Sequence, residues 1–427
     1  MTFDKQILTI TKINSSGEGV AFNKEGKPIL VPFTLPGEVV EVTVDPSSMR
    51  GVVRRGSLER IIQKSPQRQE PPCPYFGICG GCQLQHLNQD FYKAYKRGLV
   101  EEAFHVHKLA GEILDPLLFG PNIRRRINFK AIRHGQQIHL GYHRRRSHEV
   151  VDIDHCPLLL PEFNTLLQPL KLALLSCLKE GEEANVFLTK VNNGFDGAVV
   201  FDHQKNLSIQ QTSSLIEWAT NHHVIKLILK FPKGEDLVVH QASPQVIFSG
   251  VSVLFPAHAF LQTSETAEAH MVSIVLSLLP KSLRKIADLF SGLGTFSFPL
   301  ARHGHVEAFE SDFKAVQYLN LSAEQNKLSH VIRATQRDLF KYPLSVSELN
   351  LFDVVVLDPP RAGALNQIKS LAGSMVKTII MISCNTNTFA RDAQLLVKNG
   401  YKMQETHLVD QFLWSPHIEL ISSFVRC

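Results

Sequence analysis

The chain has 427 residues, 44% of them hydrophobic and 20% charged, with a net charge of +5. That length leaves room for two to four domains with real cores, and the composition excludes collagen-like, coiled-coil and low-complexity architectures. The N-terminus lacks the basic-then-apolar pattern of a secretion signal, and no apolar run approaches the ~18 residues that cross a bilayer, so a soluble, cytoplasmic protein with no membrane partner is expected.

Residues 1–62 read as short strands separated by Gly17, Gly19, Gly26, Pro36 and Gly37, the pattern of a small closed β-barrel of the kind that binds single-stranded nucleic acid. Ser65-Pro66-Gln67-Arg68-Gln69-Glu70-Pro71-Pro72 is linker-like, and residues 63–260 form a mixed central domain. Its Cys73-x5-Cys79-x2-Cys82 run and the later Cys156 make a four-thiolate set suited to tetrahedral zinc or to a [4Fe-4S] cluster. The spacing matches neither paired zinc knuckles nor the C-x3-C-x2-C of radical enzymes, which points to a structural cluster. The seven cysteines are odd in number, which without a secretion signal argues against a disulfide framework.

Between Pro121 and Arg146 the chain carries Arg124, Arg125, Arg126, Lys130, Arg133, Arg144, Arg145 and Arg146 and no acidic residue. Two Arg triplets bracketing an apparent hairpin over 127–142 suggest a phosphate-tracking surface. From Gln262 the pattern turns helical, and strands at 285–290, 306–310, 331–333, 353–357 and 378–383 then alternate with helices. A final hairpin closes over 418–424. Residues 261–427 are therefore expected to be an α/β domain with a doubly wound, Rossmann-like sheet.

Ligands of such sheets bind beyond the carboxyl ends of the strands. There stands the turn Asp288-Leu289-Phe290-Ser291-Gly292-Leu293-Gly294-Thr295, which lacks the third glycine of a dinucleotide fingerprint and looks like a methyl-donor loop. Glu310 ends the next strand, where a carboxylate can accept both ribose hydroxyl protons, and Asp338 follows the third strand near the adenine edge. Cys384 ends the strand 378–383. Taken alone it reads equally as a nucleophile or as a small buried hydrophobe.

Five stretches carry a family resemblance over nearly the whole length. They are Cys73-Pro74-Tyr75-Phe76-Gly77-Ile78-Cys79-Gly80-Gly81-Cys82, Phe260-Leu261-Gln262, Asp358-Pro359-Pro360-Arg361-Ala362-Gly363, Ser383-Cys384-Asn385 and His417-Ile418-Glu419. Together they resemble the RNA uracil-C5 methyltransferases, in the branch with an N-terminal TRAM barrel and an iron–sulfur cluster. The resemblance implies S-adenosyl-L-methionine as methyl donor, Cys384 as nucleophile, Glu419 as general base, and Gln262, Phe290, Thr295, Glu310, Asp338 and Asp358 as methyl-donor contacts. It also implies a [4Fe-4S] cluster on Cys73, Cys79, Cys82 and Cys156. Large-subunit (23S) rRNA is the implied partner, with tRNA or another rRNA uridine as runner-up, bound by a monomer. The chain departs from the family at Ser291, at Thr295 and at Ser264, where Cys, Asn and Asn are usual.

The implied chemistry has a physical logic. Carbon 5 of uracil is a poor nucleophile until a thiolate adds to carbon 6, and a base must later remove the carbon 5 proton. The target must leave its stack to reach the thiol. Two rival readings remain at this level: an amino-group methyltransferase, since Asp358-Pro359-Pro360 echoes another family's loop, and a non-catalytic RNA-binding factor.

Overall fold

A computed structural model gives the structure of the chain at residues 4–44, 54–257 and 259–426. The N-terminal unit is a six-stranded sheet of β1 (Asp4–Thr9), β2 (Lys12–Ile13), β3 (Glu18–Phe22), β4 (Pro28–Pro32), β5 (Val39–Val44) and β6 (Arg54–Gln63). The strands lie in the order β1-β5-β6-β4-β3-β2. Alternation drives it: along β5, Val40, Val42 and Val44 turn inward to join Leu8, Ile10, Ala21, Ile29 and Val31 in one core.

Next come α1 (Gln89–Val106) and β7 (Leu117–Leu118), and then the central sheet of β8 (Arg126–His134), β9 (Gln137–Gly141), β10 (Glu183–Val191), β11 (Gly194–Phe201), β12 (Val224–Phe231) and β13 (Gly234–His240). Its order is β13-β12-β11-β10-β8-β9, and α2 (Pro161–Cys177) and α3 (Ile209–Asn221) cover one face. The β8–β9 pair is the hairpin expected between the Arg triplets. Hairpin β14 (Gln245–Phe248) and β15 (Val251–Leu254) leads into the last unit.

There, α4 (Glu265–Ser277), β16 (Lys285–Leu289), α5 (Ser297–Leu300), β17 (His305–Glu310), α6 (Phe313–Gln325), β18 (Ile332–Gln336), α7 (Val346–Leu349), β19 (Val354–Leu357), α8 (Leu365–Ala372), β20 (Thr378–Ser383), α9 (Thr386–Lys398), β21 (Tyr401–Asp410) and β22 (Glu419–Arg426) build a sheet in the order β18-β17-β16-β19-β20-β22-β21-β7. β16 to β20 are parallel neighbours, and every residue of β19 and β20 is buried, as expected of strands covered on both faces. β22 runs antiparallel between β20 and β21. The chain leaves β16 toward β17 and returns to β19 on the other side, which places the crevice for a ligand at the carboxyl end of β16. α1 packs on α9, and β7 extends the edge beside β21, so residues before the hairpin already belong physically to this sheet.

Several cations of the Arg-rich stretch are held by carboxylates or carbonyls, while Arg124 and Arg126 line an open cavity. Arg125 is buried and pairs with Glu268 of α4 at 2.6 Å, while Arg145 and Arg146 both reach Glu18 of the barrel, at 2.8 and 2.5 Å. Arg144 pairs with Glu149, Lys130 with Glu183 and Asp202, and Arg133 donates to the carbonyls of Leu175 and Leu178. Three of the eight cations, Arg125, Arg145 and Arg146, join one unit to the next. Among the described residues, no helix is long and apolar enough to cross a membrane. Cys427 lies outside them.

Candidate active site

The glycine-containing turn after β16 is held by its backbone. Phe290, just past β16, adopts a left-handed φ of 63° while its N–H donates to the Phe309 carbonyl at 2.9 Å. A non-glycine residue in that region is strained, and such strain concentrates at ligand sites. Gly294 (φ 94°) has no room for a side chain, since a Cβ there would lie 2.8 Å from the Phe298 ring, whereas a Cβ on Gly292 would meet open space. Glu310, ending β17, accepts from the N–H of Gly292 (3.1 Å) and from the N–H groups of Ser311 (2.6 Å) and Asp312 (2.9 Å). Asp338, two residues past β18, accepts from Phe340 N–H at 3.0 Å, and Thr295 is half-buried at the start of the next helical turn.

Ser264 is buried and N-caps α4, accepting from Ala267 N–H at 3.2 Å. Serine is as good a cap as asparagine, which accounts for the departure from the family at that position.

Two and three strands from β16 in the same sheet lie β20 and β22. The last registered pair between β20 and β22 is Ser383 with Leu420, so one step further Cys384 stands across from Glu419. Directly opposed residues of an antiparallel pair have neighbouring side chains. Asn385 caps α9 by accepting from Asn387 and Thr388 N–H, and Thr388, Arg391 and Asp392 of α9 brace the loop that starts at Asp358. One helix therefore fixes Cys384 relative to Asp358-Pro359-Pro360-Arg361.

A hydrogen-bonded chain joins the remaining groups. Gln262 Nε2 donates to Asp358 Oδ2 at 3.3 Å, and Gln262 Oε1 accepts from Gln411 Nε2 at 2.7 Å. That same Gln411 nitrogen donates to Glu419 Oε1 at 2.8 Å, while Gln411 Oε1 is fixed by Thr263. Glu419 Oε2 is buried with no partner among the described residues. Arg361 donates to the His417 ring, 2.8 Å from Nδ1.

Burial dominates the proton affinities here. It pushes the Glu419 carboxyl up to about 8, helped by Asp358 and opposed by Gln411 and Arg361. Asp358 is pushed up to about 7 by burial. The Cys384 thiol rises to about 11, through burial first and then the carboxylates of Glu419 and Asp358, with Arg361 opposing. His417 falls to about 4 through burial and the cations of Arg361 and Lys96, which leaves its ring neutral beside Arg361. Shifts of this size, in one cleft, mark a functional site.

Sequence reading did not find Gln411, nor Arg125, whose Nε holds the Gln262 carbonyl at 3.0 Å.

Cys73, Cys79, Cys82 and Cys156 line one small cavity with Tyr75, Phe76 and Tyr142. Burial pushes Cys82 up to about 12 and Cys156 up to about 11. Among the described residues, no three His, Cys, Asp or Glu side chains stand at metal-holding spacing. Four thiols converge without forming a coordination polyhedron. Cys177 is a buried helix-end thiol donating to Ala173 O at 3.4 Å.

The TRAM domain family matches residues 1–48, and the family described as tRNA (uracil-5-)-methyltransferase matches residues 252–423. An RNA methyltransferase of Rhizobium meliloti, described as uncharacterized, is 36% identical over 98% of this chain and 99% of its own length. The 23S rRNA (uracil(1939)-C(5))-methyltransferase RlmD of Vibrio parahaemolyticus is 30% identical over 99% of this chain and 96% of its own. The crystal structure of the Pyrococcus abyssi tRNA (uracil-54, C5)-methyltransferase with S-adenosyl-L-homocysteine superposes with a TM-score of 0.73 at 24% identity, over 98% of this chain and 100% of that one.

The fold is thus that of a Rossmann-like methyltransferase behind an N-terminal TRAM domain. Within that class, the chain belongs to the RNA uracil-C5 methyltransferase family.

Proposed function

We propose that this protein transfers a methyl group from S-adenosyl-L-methionine to carbon 5 of a uridine in 23S rRNA, with Cys384 as nucleophile and Glu419 as base. The observation that carries the reading is the cross-strand placement of Cys384 opposite Glu419, which is itself joined to Asp358 through Gln411 and Gln262. The 23S target is supported by the full-length similarity to RlmD.

The Cys384 thiolate, favoured by Arg361, adds to carbon 6 of the flipped base and sends an electron pair toward the ring carbonyl. Carbon 5 then takes the sulfonium methyl, and S-adenosyl-L-homocysteine departs. Glu419 accepts the proton left on carbon 5, the carbon 6–sulfur bond breaks, and the thiolate returns. Gln411 occupies Oε1 of Glu419, which leaves Oε2 for that proton. A carboxylate whose burial raises its proton affinity toward 8 suits abstraction from carbon better than an exposed one. Glu310, Asp338 and the strained turn at Phe290 are placed to hold the ribose, adenine and methionine parts of the donor, with Thr295, Gln262 and Asp358 beside them.

Incubating the protein with unmodified 23S rRNA and labelled methyl donor should yield 5-methyluridine at one position. Glu419→Gln should accumulate a covalent RNA–protein adduct, seen as a shifted band. Label on an exocyclic amino group, or undiminished activity in Cys384→Ala, would establish the amino-group rival, and methylation of tRNA alone would reassign the substrate.

Cys73, Cys79, Cys82 and Cys156 would hold a [4Fe-4S] cluster; the support is four thiols lining one cavity. A bound cluster would order the loops around them. Anaerobically purified protein should be brown and contain iron and sulfide, whereas colourless protein with stoichiometric zinc would overturn the assignment.

A further inference from the structure

Residues 411–418 join β21 to β22 and carry Gln411 and His417 before reaching Glu419. The segment is irregular, with Trp414 at a φ of 59°. Its internal bonds are few: Ser415 N–H and Oγ both donate to the Phe412 carbonyl, at 3.0 and 2.8 Å, and His417 N–H donates to Ser415 Oγ at 3.3 Å. The anchors come from elsewhere in the chain. Asp410, wholly buried, accepts from Tyr92 OH at 2.5 Å and from Lys96 Nζ at 2.7 Å. Lys96, equally buried, also donates to the His417 carbonyl. One ammonium therefore touches both ends of the loop. Tyr92 OH in turn accepts from Trp414 N–H at 2.9 Å, and the Trp414 carbonyl accepts from the N–H groups of Gln83 (2.8 Å) and Leu84 (3.0 Å), next to Cys82.

Lys96 lies on the buried stripe of α1, with Tyr92, Leu99, Val100 and Ala103. An apolar side chain would fill such a position at no cost in desolvation, and buried ion pairs contribute little net stability relative to apolar packing. What Lys96 supplies that a methionine cannot is direction: two donor bonds, to Asp410 and to the His417 carbonyl, that fix where the loop begins and ends.

We propose that Lys96, with Tyr92 and Asp410, forms a positioning set that holds Gln411 and Glu419 in register for proton abstraction at carbon 5. The inference rests on the uracil-C5 reading above. The set touches neither the methyl donor nor the uracil; it acts through the loop.

The chain has two tryptophans, Trp218 and Trp414, so a Trp218→Phe background makes the emission report Trp414 alone. In that background, Lys96→Met, Asp410→Asn and Tyr92→Phe should shift Trp414 emission to the red and increase its quenching by acrylamide. Affinity for S-adenosyl-L-homocysteine should hold. Resolution of the covalent RNA adduct should slow by about 10–100-fold, with the adduct accumulating, because a displaced base costs rate at its own step. Tyr92→Phe removes a single hydroxyl and supplies the answer if Lys96→Met does not fold. Unchanged Trp414 emission overturns the proposal. So does a parallel fall of rate and cofactor affinity with no accumulated adduct, the signature of general destabilisation. If the wild type makes no 5-methyluridine, the functional reading fails, and the Trp414 signal alone then decides whether Lys96 holds the loop.

Discussion

At the end of β17, Glu310 accepts four hydrogen bonds: from Gly292 N–H, from Ser311 N–H and Oγ, and from Asp312 N–H. At the start of β22, Glu419 accepts one, leaves Oε2 with no partner among the described residues, and sits beside Asp358 with its proton affinity raised. Both carboxylates lie on the same edge of the same sheet. The first is fixed and satisfied, which suits the ligand contact proposed for it; the second has a free oxygen and a raised proton affinity, which suits the base proposed. On that proposal the crevice divides into a half that binds and a half that reacts, following which donors reach each carboxylate.

The largest effects should separate those halves. Cys384→Ala should bind S-adenosyl-L-homocysteine like the wild type while methylation falls by about 10⁴-fold or more, since losing a covalent nucleophile removes the whole stepwise route. Glu310→Gln should instead weaken cofactor binding by about 10–100-fold, and much of the rate should return at saturating methyl donor, the mark of lost uniform binding. Titration calorimetry with the product cofactor, beside single-turnover rates, checks both. If Cys384→Ala loses cofactor affinity as Glu310→Gln does, the two halves are one site.

How far this division is legible in the sequence depends on the distance along the chain between partners. β19 and β20 announce themselves as Val354-Val355-Val356-Leu357 and Thr378-Ile379-Ile380-Met381-Ile382, and the turn after β16 by its glycines. Cys384 and Glu419 are readable as strand-end residues, although their opposition depends on an antiparallel register that no local pattern specifies. The network around them is invisible locally: Gln411 meets Gln262 across 149 residues, and Lys96 meets Asp410 across 314. The Arg triplets mislead for the same reason. Arg145 and Arg146 look unpaired until the barrel folds back and brings Glu18 from 127 and 128 residues upstream. A charge count registers the cations and not the carboxylate that holds them. The four cysteines converge as their spacing suggests, yet their atoms alone do not choose the metal.

A smaller effect, on stability, sharpens the same comparison. Burial raises Glu419 to about 8 and Asp358 to about 7, from ordinary values of 4.5 and 3.8. The folded protein therefore keeps protons that the unfolded chain has released, so this contribution to stability is fully present below about pH 4 and is lost as pH rises toward 8. Glu419→Gln removes one of these ionisations. The variant should gain on the order of 1–3 kcal/mol over the wild type at pH 8.5, a gain that shrinks to nothing near pH 4.5. The new amide has no acceptor where Oε2 stood, which holds the gain toward the lower figure. Glu310→Gln, by contrast, replaces an oxygen that accepts from backbone N–H groups and should lower the melting temperature at both pH values. Scanning calorimetry of the three proteins between pH 4.5 and 8.5 distinguishes these outcomes. A pH-independent difference for Glu419→Gln would mean that its carboxylate is ionised in the folded state, and the reacting half of the crevice would then be no more strained than the binding half.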